Sequence, residues 1–316
     1  SPAWLPQDRV GAGQACQDST TDHLLAVLAT VDAERIRQCR FRVVLDSNHG
    51  AGSVLGRRLL HELACRITVL GEDPDGQFGH PPEPTAENLA GVLAAVTEQK
   101  ADVGFCQDPD ADRLAVIDSN GRYVGEEYTL AMCVDHVLRQ RKGAIVANCA
   151  SSRMAEDVAT RYGVPYYRSA VGEANVVDCM LANQAVFGGE GNGGPIDPRG
   201  GYVRDSFVGM ALLLDAMAAR SLPIAQLADE LPRYEIVKTK VGLRPAELAA
   251  ALAALERRFA DAQPDRRDGL RLDWPGRWLL VRGSNTEPIV RAIAEAPTEA
   301  EATKLCVSAA EVLAAV

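Results

Sequence analysis

The run FRVVLDSNHGAGSVLGRRLLHELACRITVL, residues 41–70, leaves the chain few folds to choose from. A short apolar run rich in Val and Leu passes through a glycine-containing turn into a helical pattern, then into a second apolar run. Strand, turn, helix, strand is the grammar of a βαβ unit. The pattern continues in ENLAGVLAAVTEQKADVGFCQDPD (87–110), a helix followed by a strand that ends in an acidic loop. A second cycle starts near residue 126. YTLAMCVDHVLRQ (128–140) is helical, GAIVANC (143–149) a strand, RMAEDVATRYG (153–163) a helix, and NVVDCMLANQAVFGGEGNGG (175–194) a helix leading to a strand and loop. SFVGMALLLDAMAAR (206–220) reads as an amphipathic helix.

After a break in LPRYEIVKTKV (231–241) the order changes. PAELAAALAALERRFADA (245–262) reads as a helix, GLRLDW and RWLLVRG as a hairpin, PIVRAIAEA as a strand, and a last helix starts at Thr298, which has capping-box spacing to Glu301. Near the start, TTDHLLAVLATVDAERIRQ (20–38) is helical, with Thr20 or Thr21 as its cap. The fold class is therefore α/β: two similar mixed α/β domains followed by a smaller α+β C-terminal domain. The boundaries read as a leading segment 1–19, then 20–125, 126–236 and 237–316. A chain of 316 residues exceeds the size at which single cores stop growing.

Composition narrows the function. Hydrophobic residues at 47% and charged residues at 24% describe an ordinary globular protein, and a net charge of -10 argues against a nucleic-acid or anionic-membrane surface. A few arginines in one loop still suffice to hold a small anion. Eight cysteines stand singly, with no C-x-x-C pair, which points to reduced thiols and a cytoplasmic location. No apolar run approaches the length of a membrane span.

Three loops carry the chemistry. In VGFCQDPDADRLAVID (103–118), Asp108, Asp110 and Asp112 sit at alternate positions between two apolar runs. So many carboxylates leaving a strand form an oxygen cage for a hard divalent cation, and Mg²⁺ favours a few carboxylates plus a substrate phosphate. An EF-hand fails, because counting from Asp108 its glycine and glutamate positions hold Arg113 and Ser119. A solvated acidic turn is the plain alternative. Arg113 either reaches a phosphoryl group or relieves the crowded charge. In GGEGNGGPI (188–196), five glycines surround Glu190 and Asn192, whose carboxylate and amide suit vicinal sugar hydroxyls. A glycine-rich surface turn explains the same residues. In VRGSNTEPIVR (281–291), Arg282 and Arg291 flank Ser284, Asn285 and Thr286, the parts of a phosphate cradle or of a polar hairpin exit. No P-loop occurs, so the phosphate need not belong to a nucleotide. Together the loops describe a phosphorylated sugar held in a cleft between domains.

DPDADR, GGEGNGG and RGSNTEP, in that order, resemble the α-D-phosphohexomutases, with support from VVLDSNHGAGS (43–53) and PDGQFGHPPEPTAENL (74–89). The resemblance runs from about residue 20 to the end. It implies an enzyme that interconverts hexose 1-phosphate and hexose 6-phosphate through a phosphoserine and a hexose 1,6-bisphosphate intermediate. Asp108, Asp110 and Asp112 would hold Mg²⁺ on the phosphoserine, and Arg113 would assist transfer. Glu190 and Asn192 would read the sugar, while Arg282, Ser284, Asn285, Thr286 and Arg291 would clamp the phosphate that is not transferred. The chain departs from the family pattern at Gly283, where many members have Pro, and in GNGG, where a Ser-Gly-His ending is usual. The family's serine-bearing Thr-x-Ser-His-Asn-Pro loop does not occur, and Ser47 in DSNHG matches the second-domain strand–turn instead. The resemblance thus implies domains two to four of a mutase, inactive without the first. A phosphatase with an aspartyl nucleophile and a non-catalytic sugar-phosphate-binding protein are the other readings.

Overall fold

The computed structural model describes residues 18–283 and 289–315, together with residues 9, 11, 13, 15 and 16. Helices α1 (Thr21–Leu28) and α2 (Ala33–Cys39) lead into β1 (Arg42–Asp46), α3 (Ser53–Glu62), β2 (Arg66–Leu70), α4 (Ala90–Glu98), β3 (Val103–Gln107) and β4 (Leu114–Asp118). The sheet runs β2-β1-β3-β4, with the first three strands parallel and β4 antiparallel to β3. Next come α5 (Glu126–Gln140), β5 (Ile145–Asn148), α6 (Met154–Tyr162), β6 (Tyr166–Ser169), α7 (Glu173–Ala182), β7 (Phe187–Glu190), β8 (Gly194–Ile196), α8 (Ser206–Arg220) and α9 (Ile224–Asp229). The second sheet, β6-β5-β7-β8, repeats both the order and the directions of the first. Strands β3 and β4 are buried at every position, as strands covered on both faces by helices must be, which is why they read as unbroken apolar runs.

The third unit is an antiparallel sheet. It comprises β9 (Glu235–Gly242), α10 (Leu248–Arg258), β10 (Gln263–Asp265), β11 (Leu270–Trp274), β12 (Arg277–Gly283), β13 (Ile289–Ala296) and α11 (Glu299–Ala314), with strand order β10-β11-β12-β13-β9. It has its own apolar core around Leu255, Leu279, Ala292 and Leu305. The largest core of the first two units is shared, running from Leu24 on α1 to Leu231 after α9.

Five local expectations change. The segment 20–38 is two helices, because residues 29–32 leave the helix before Asp32 caps α2 through the Arg35 N–H. Thr20 holds the N-cap position of α1 but its side chain makes no cap bond; the Asp18 carboxylate instead accepts from the Thr20 and Thr21 backbone N–H groups, at 2.9 and 3.0 Å. Helix α8 is not amphipathic, since every residue from Ser206 to Met217 is buried, with α1, α2, α3, α5 and strands β4 and β8 packed around it. The break at 231–241 is largely strand β9, an edge strand whose Val237 and Val241 pack on the core while Lys238 and Lys240 stay exposed. The helix expected over 245–262 is shorter, a 3₁₀ turn at Pro245–Glu247 followed by Leu248–Arg258. Thr298 does cap α11, accepting from the Glu301 N–H at 3.3 Å. All eight cysteines are free, four of them buried, and among the described residues no helix is long and apolar enough to cross a membrane.

Candidate functional site

The repeat explains why two of the three loops meet. The acidic loop joins β3 to β4 and the glycine-rich turn joins β7 to β8, so each is the one antiparallel turn of its sheet. They are stitched together by the Leu114 N–H, which donates to Gly193 O at 2.9 Å. Gly193 has φ +84°, and a Cβ there would collide with the Leu114 backbone, so the contact requires glycine. Beneath the acidic loop, buried Ser47 donates to Gln107 Oε1 at 3.0 Å and Gln107 Nε2 to Ser206 Oγ at 2.7 Å. Ser47 is fully buried and thus built as a support, not as a nucleophile.

Asp108, Asp110 and Asp112 each offer an oxygen within 4.8 Å of the others. Asp108 is buried, Asp112 half-buried and Asp110 exposed. The Arg113 N–H donates to Asp108 Oδ1 at 3.0 Å, and the Arg113 guanidinium lies 3.1 Å from Asp108 Oδ2 and 3.6 Å from Asp112 Oδ1. Burial pushes the Asp108 carboxyl up to about 7, with the neighbouring carboxylates adding to it, and burial also raises Asp112 against the pull of Arg204. Asp112 Oδ1 is buried and has no hydrogen-bond partner among the described residues. Three converging carboxylates, one with an unsatisfied buried oxygen, fit a hard divalent cation.

Glu190 lies at the end of β7, nearly fully buried. Its Oε1 accepts from Asn148 Nδ2 at 2.5 Å and from the Gly172 N–H at 2.9 Å, and its Oε2 from Arg204 Nη1 at 2.9 Å. Asn192 Oδ1 is buried with no hydrogen-bond partner among the described residues. On the C-terminal sheet, Arg282 on β12 stands directly opposite Arg291 on β13, which stands opposite Lys240 on β9. Like charges set side by side across strands repel, and among the described residues Asp268, 3.1 Å from Arg282, answers one of the three. Ser284, Asn285 and Thr286 lie outside the described residues.

A single cleft of about 570 Å³ is lined by Arg113, Glu190, Asn192, Arg282 and Arg291, whereas Asp108, Asp110 and Asp112 are not among its lining residues. Residues that sequence reading missed also line it, Glu126, Glu127, Asn148, Lys238 and Lys240. The signal for the lysines was present in V-K-T-K-V, whose alternation is that of a strand with one polar face.

Family models of phosphoglucomutase/phosphomannomutase match alpha/beta/alpha domain II over residues 21–121, alpha/beta/alpha domain III over 125–234 and the C-terminal domain over 237–312. The chain belongs to the phosphoglucomutase/phosphomannomutase family. It is 37% identical over 291 residues to a phosphoglucomutase/phosphomannomutase of Thermococcus kodakarensis, covering 90% of this chain and 63% of that protein. It is 35% identical to a probable phosphoglucosamine mutase of Thermococcus gammatolerans, covering 84% of this chain and 60% of that protein. A crystal structure of a phosphoglucomutase/phosphomannomutase family protein from Burkholderia thailandensis superposes with a TM-score of 0.81 at 26% identity, over 94% of this chain and 64% of that one. The chain thus spans less than two thirds of the length of these relatives.

Within this family member, the cleft's acidic wall sets a pH dependence. Burial pushes the Glu127 carboxyl up to about 8, although the Ser152 N–H donates to it at 2.8 Å and Lys238 pulls the other way. A folded-state value above the ordinary 4.5 means that Glu127 stabilises the fold below pH ~4.5 and loses that contribution as pH rises towards 8. Glu127→Gln keeps an acceptor for Ser152 and removes the charge. Its advantage over the parent should grow by roughly 3 kcal/mol between pH 5 and pH 8, at about 1.4 kcal/mol per unit of pKa difference. Thermal melts at the two values check this, and an advantage that stays constant with pH would rule it out.

Proposed function

We propose that the cleft binds a hexose phosphate and serves a Mg²⁺-dependent phosphohexomutase, which interconverts hexose 1-phosphate and hexose 6-phosphate through a phosphoserine and a hexose 1,6-bisphosphate. The observation that supports this is the single cleft lined by Arg113, Glu190, Asn192, Arg282 and Arg291, drawn from three sheets. Phosphoryl transfer asks a protein mainly for positioning and charge neutralisation, and these residues divide that work. Asp108, Asp110 and Asp112 hold the cation. Bound Mg²⁺ supplies charge neutralisation at the transferring phosphoryl group. Arg113, ion-paired to Asp108 and Asp112, adds its guanidinium at the same end.

Glu190 accepts hydrogen bonds from ring hydroxyls, and the unsatisfied Oδ1 of Asn192 accepts another. Arg282, Arg291 and Lys240 hold the far phosphate, whose two charges relieve the repulsion within their row. The clamp reads a phosphate rather than a sugar carbon, so it serves either end of a substrate that turns over. The serine loop of the family does not occur in these 316 residues. The chain by itself is therefore expected to bind hexose phosphate and to turn over nothing until a serine-bearing domain is supplied.

Calorimetric titration with glucose 6-phosphate in the presence of Mg²⁺ tests the reading. Binding is expected, and Arg291→Met should weaken it about tenfold, the loss of one charged contact. Failure to bind any hexose phosphate at millimolar concentration would sink the proposal, as would mutase turnover by this chain alone.

A further inference from the structure

We propose that Arg204 is a positioning residue that sets both the cation-facing oxygen of Asp112 and the carboxylate of Glu190 with one guanidinium. The inference rests on the hexose-phosphate reading of the cleft. Arg204 lies between β8 and α8, and its side chain is only 17% exposed. Its Nη2 pairs with Asp112 Oδ2, its Nη1 donates to Glu190 Oε2 at 2.9 Å, and its backbone N–H donates to Glu173 Oε2 at 2.8 Å. The planar fork thus spans two loops of two different sheets, and Glu173 pins its base.

The consequences follow atom by atom. With Oδ2 of Asp112 taken, the oxygen left for a cation is Oδ1, which is buried and accepts no hydrogen bond among the described residues, the Arg113 guanidinium lying 3.6 Å from it. With Oε1 of Glu190 held by Asn148 and Gly172, Arg204 fixes the second oxygen and so the plane of the carboxylate. The distance between cation cage and sugar reader is then set by one rigid group. A lysine ammonium, a single point charge on a flexible stem, cannot reproduce that span.

The path of the side chain is itself built. A Cβ on residue 194 would lie 2.5 Å from Arg204 Cδ and 3.0 Å from its Cγ, so only glycine there lets Arg204 cross to Asp112. Gly194 needs no unusual backbone angle, and an alanine would displace Arg204 while removing no polar group.

Charge and position make opposite predictions. Deleting a cation beside a metal cage tightens cation binding by Coulomb's law, whereas losing the orientation of a ligand weakens it. The experiment titrates Mn²⁺ into the 316-residue chain by electron paramagnetic resonance and glucose 6-phosphate by calorimetry, in the parent, R204K, R204M and G194A. Each variant is expected to weaken both ligands about tenfold while the far-ultraviolet circular dichroism spectrum stays that of the parent. Agreement of G194A with the arginine variants would support positioning, since that variant keeps every charge. Full rescue in R204K, or variants that bind both ligands like the parent, would overturn the role of Arg204 and leave the hexose-phosphate reading standing. A parent chain that binds neither Mn²⁺ nor glucose 6-phosphate would overturn both.

Discussion

Asp215→Ala is expected to lower the stability of the first two units by about 3–5 kcal/mol, the cost of breaking a buried ion pair from one side. Asp215 is fully buried on α8. Its Oδ1 accepts from Arg35 Nε at 3.0 Å and Nη2 at 2.6 Å, and its Oδ2 lies 2.8 Å from His136 Nε2 and 3.2 Å from Gln140 Nε2. One carboxylate therefore ties α2 and α5 to the central helix. Arg35 has a route to water once released, but His136 is only 3% exposed and would be left without its acceptor. Burial alone would push the Asp215 carboxyl up; hydrogen bonds from His136 and Arg35 overcome that and hold it below the ordinary carboxylate value. A depressed value means the contribution is present above about pH 4 and is lost as pH falls through the lower, folded-state value. Denaturation at pH 7 should show the full deficit, a drop in melting temperature of roughly 10 °C, and the gap between parent and variant should narrow near pH 3. Asp215→Asn, which keeps shape but not charge, should fall between. A loss below about 1 kcal/mol at pH 7 would show that the three helices do not depend on this carboxylate.

The sequence was legible for the fold where the pattern is local, and stopped being so where contacts depend on partners distant in the chain. The two α/β cycles were legible because strands buried on both faces, such as β3 and β4, leave unbroken apolar runs between helical periods. Helix α8 misled because a sequence does not say how many sides of a helix will be covered. Its Asp215 faces Arg35, 180 residues earlier. Strand β9 was taken for a break because half of its residues are polar, yet three of them, Lys238, Thr239 and Lys240, line the cleft. The acidic and glycine-rich loops could be singled out by residue type alone, since clustered carboxylates, amides and guanidinium groups stand out in a sequence. Arg204 could not. Its neighbours Gly201 and Tyr202 suggest only a turn, and its meaning lies in Asp112, 92 residues away. The row formed by Arg282, Arg291 and Lys240 likewise exists only once strand register is known.

Asp108→Asn should weaken divalent-cation binding on the order of 100-fold or more, since changes to groups merely supporting a ligand already cost 10–100-fold. The substitution is nearly isosteric, and an amide oxygen can still accept the Arg113 N–H that holds Asp108 at 3.0 Å. What disappears is a buried negative charge, one that desolvation and two neighbouring carboxylates already push towards neutrality, up to about 7. The same change should therefore leave the metal-free protein as stable as the parent or more so, because a repulsion is removed. Opposite effects on fold and ligand separate a lost ligand from a damaged loop. At a cation concentration 100 times the parent's dissociation constant, linkage gives the parent about 2.7 kcal/mol of added stability. A variant with 100-fold weaker binding gains only about 0.4 kcal/mol under the same conditions. Melting curves with Mg²⁺ and with EDTA read the difference directly. Asp110→Asn, at an exposed position, should show a smaller version of the same loss. Equal Mg²⁺-dependent stabilisation in parent and Asp108→Asn would mean that the cation binds elsewhere, and that the acidic loop is held by Arg113 and Arg204 alone.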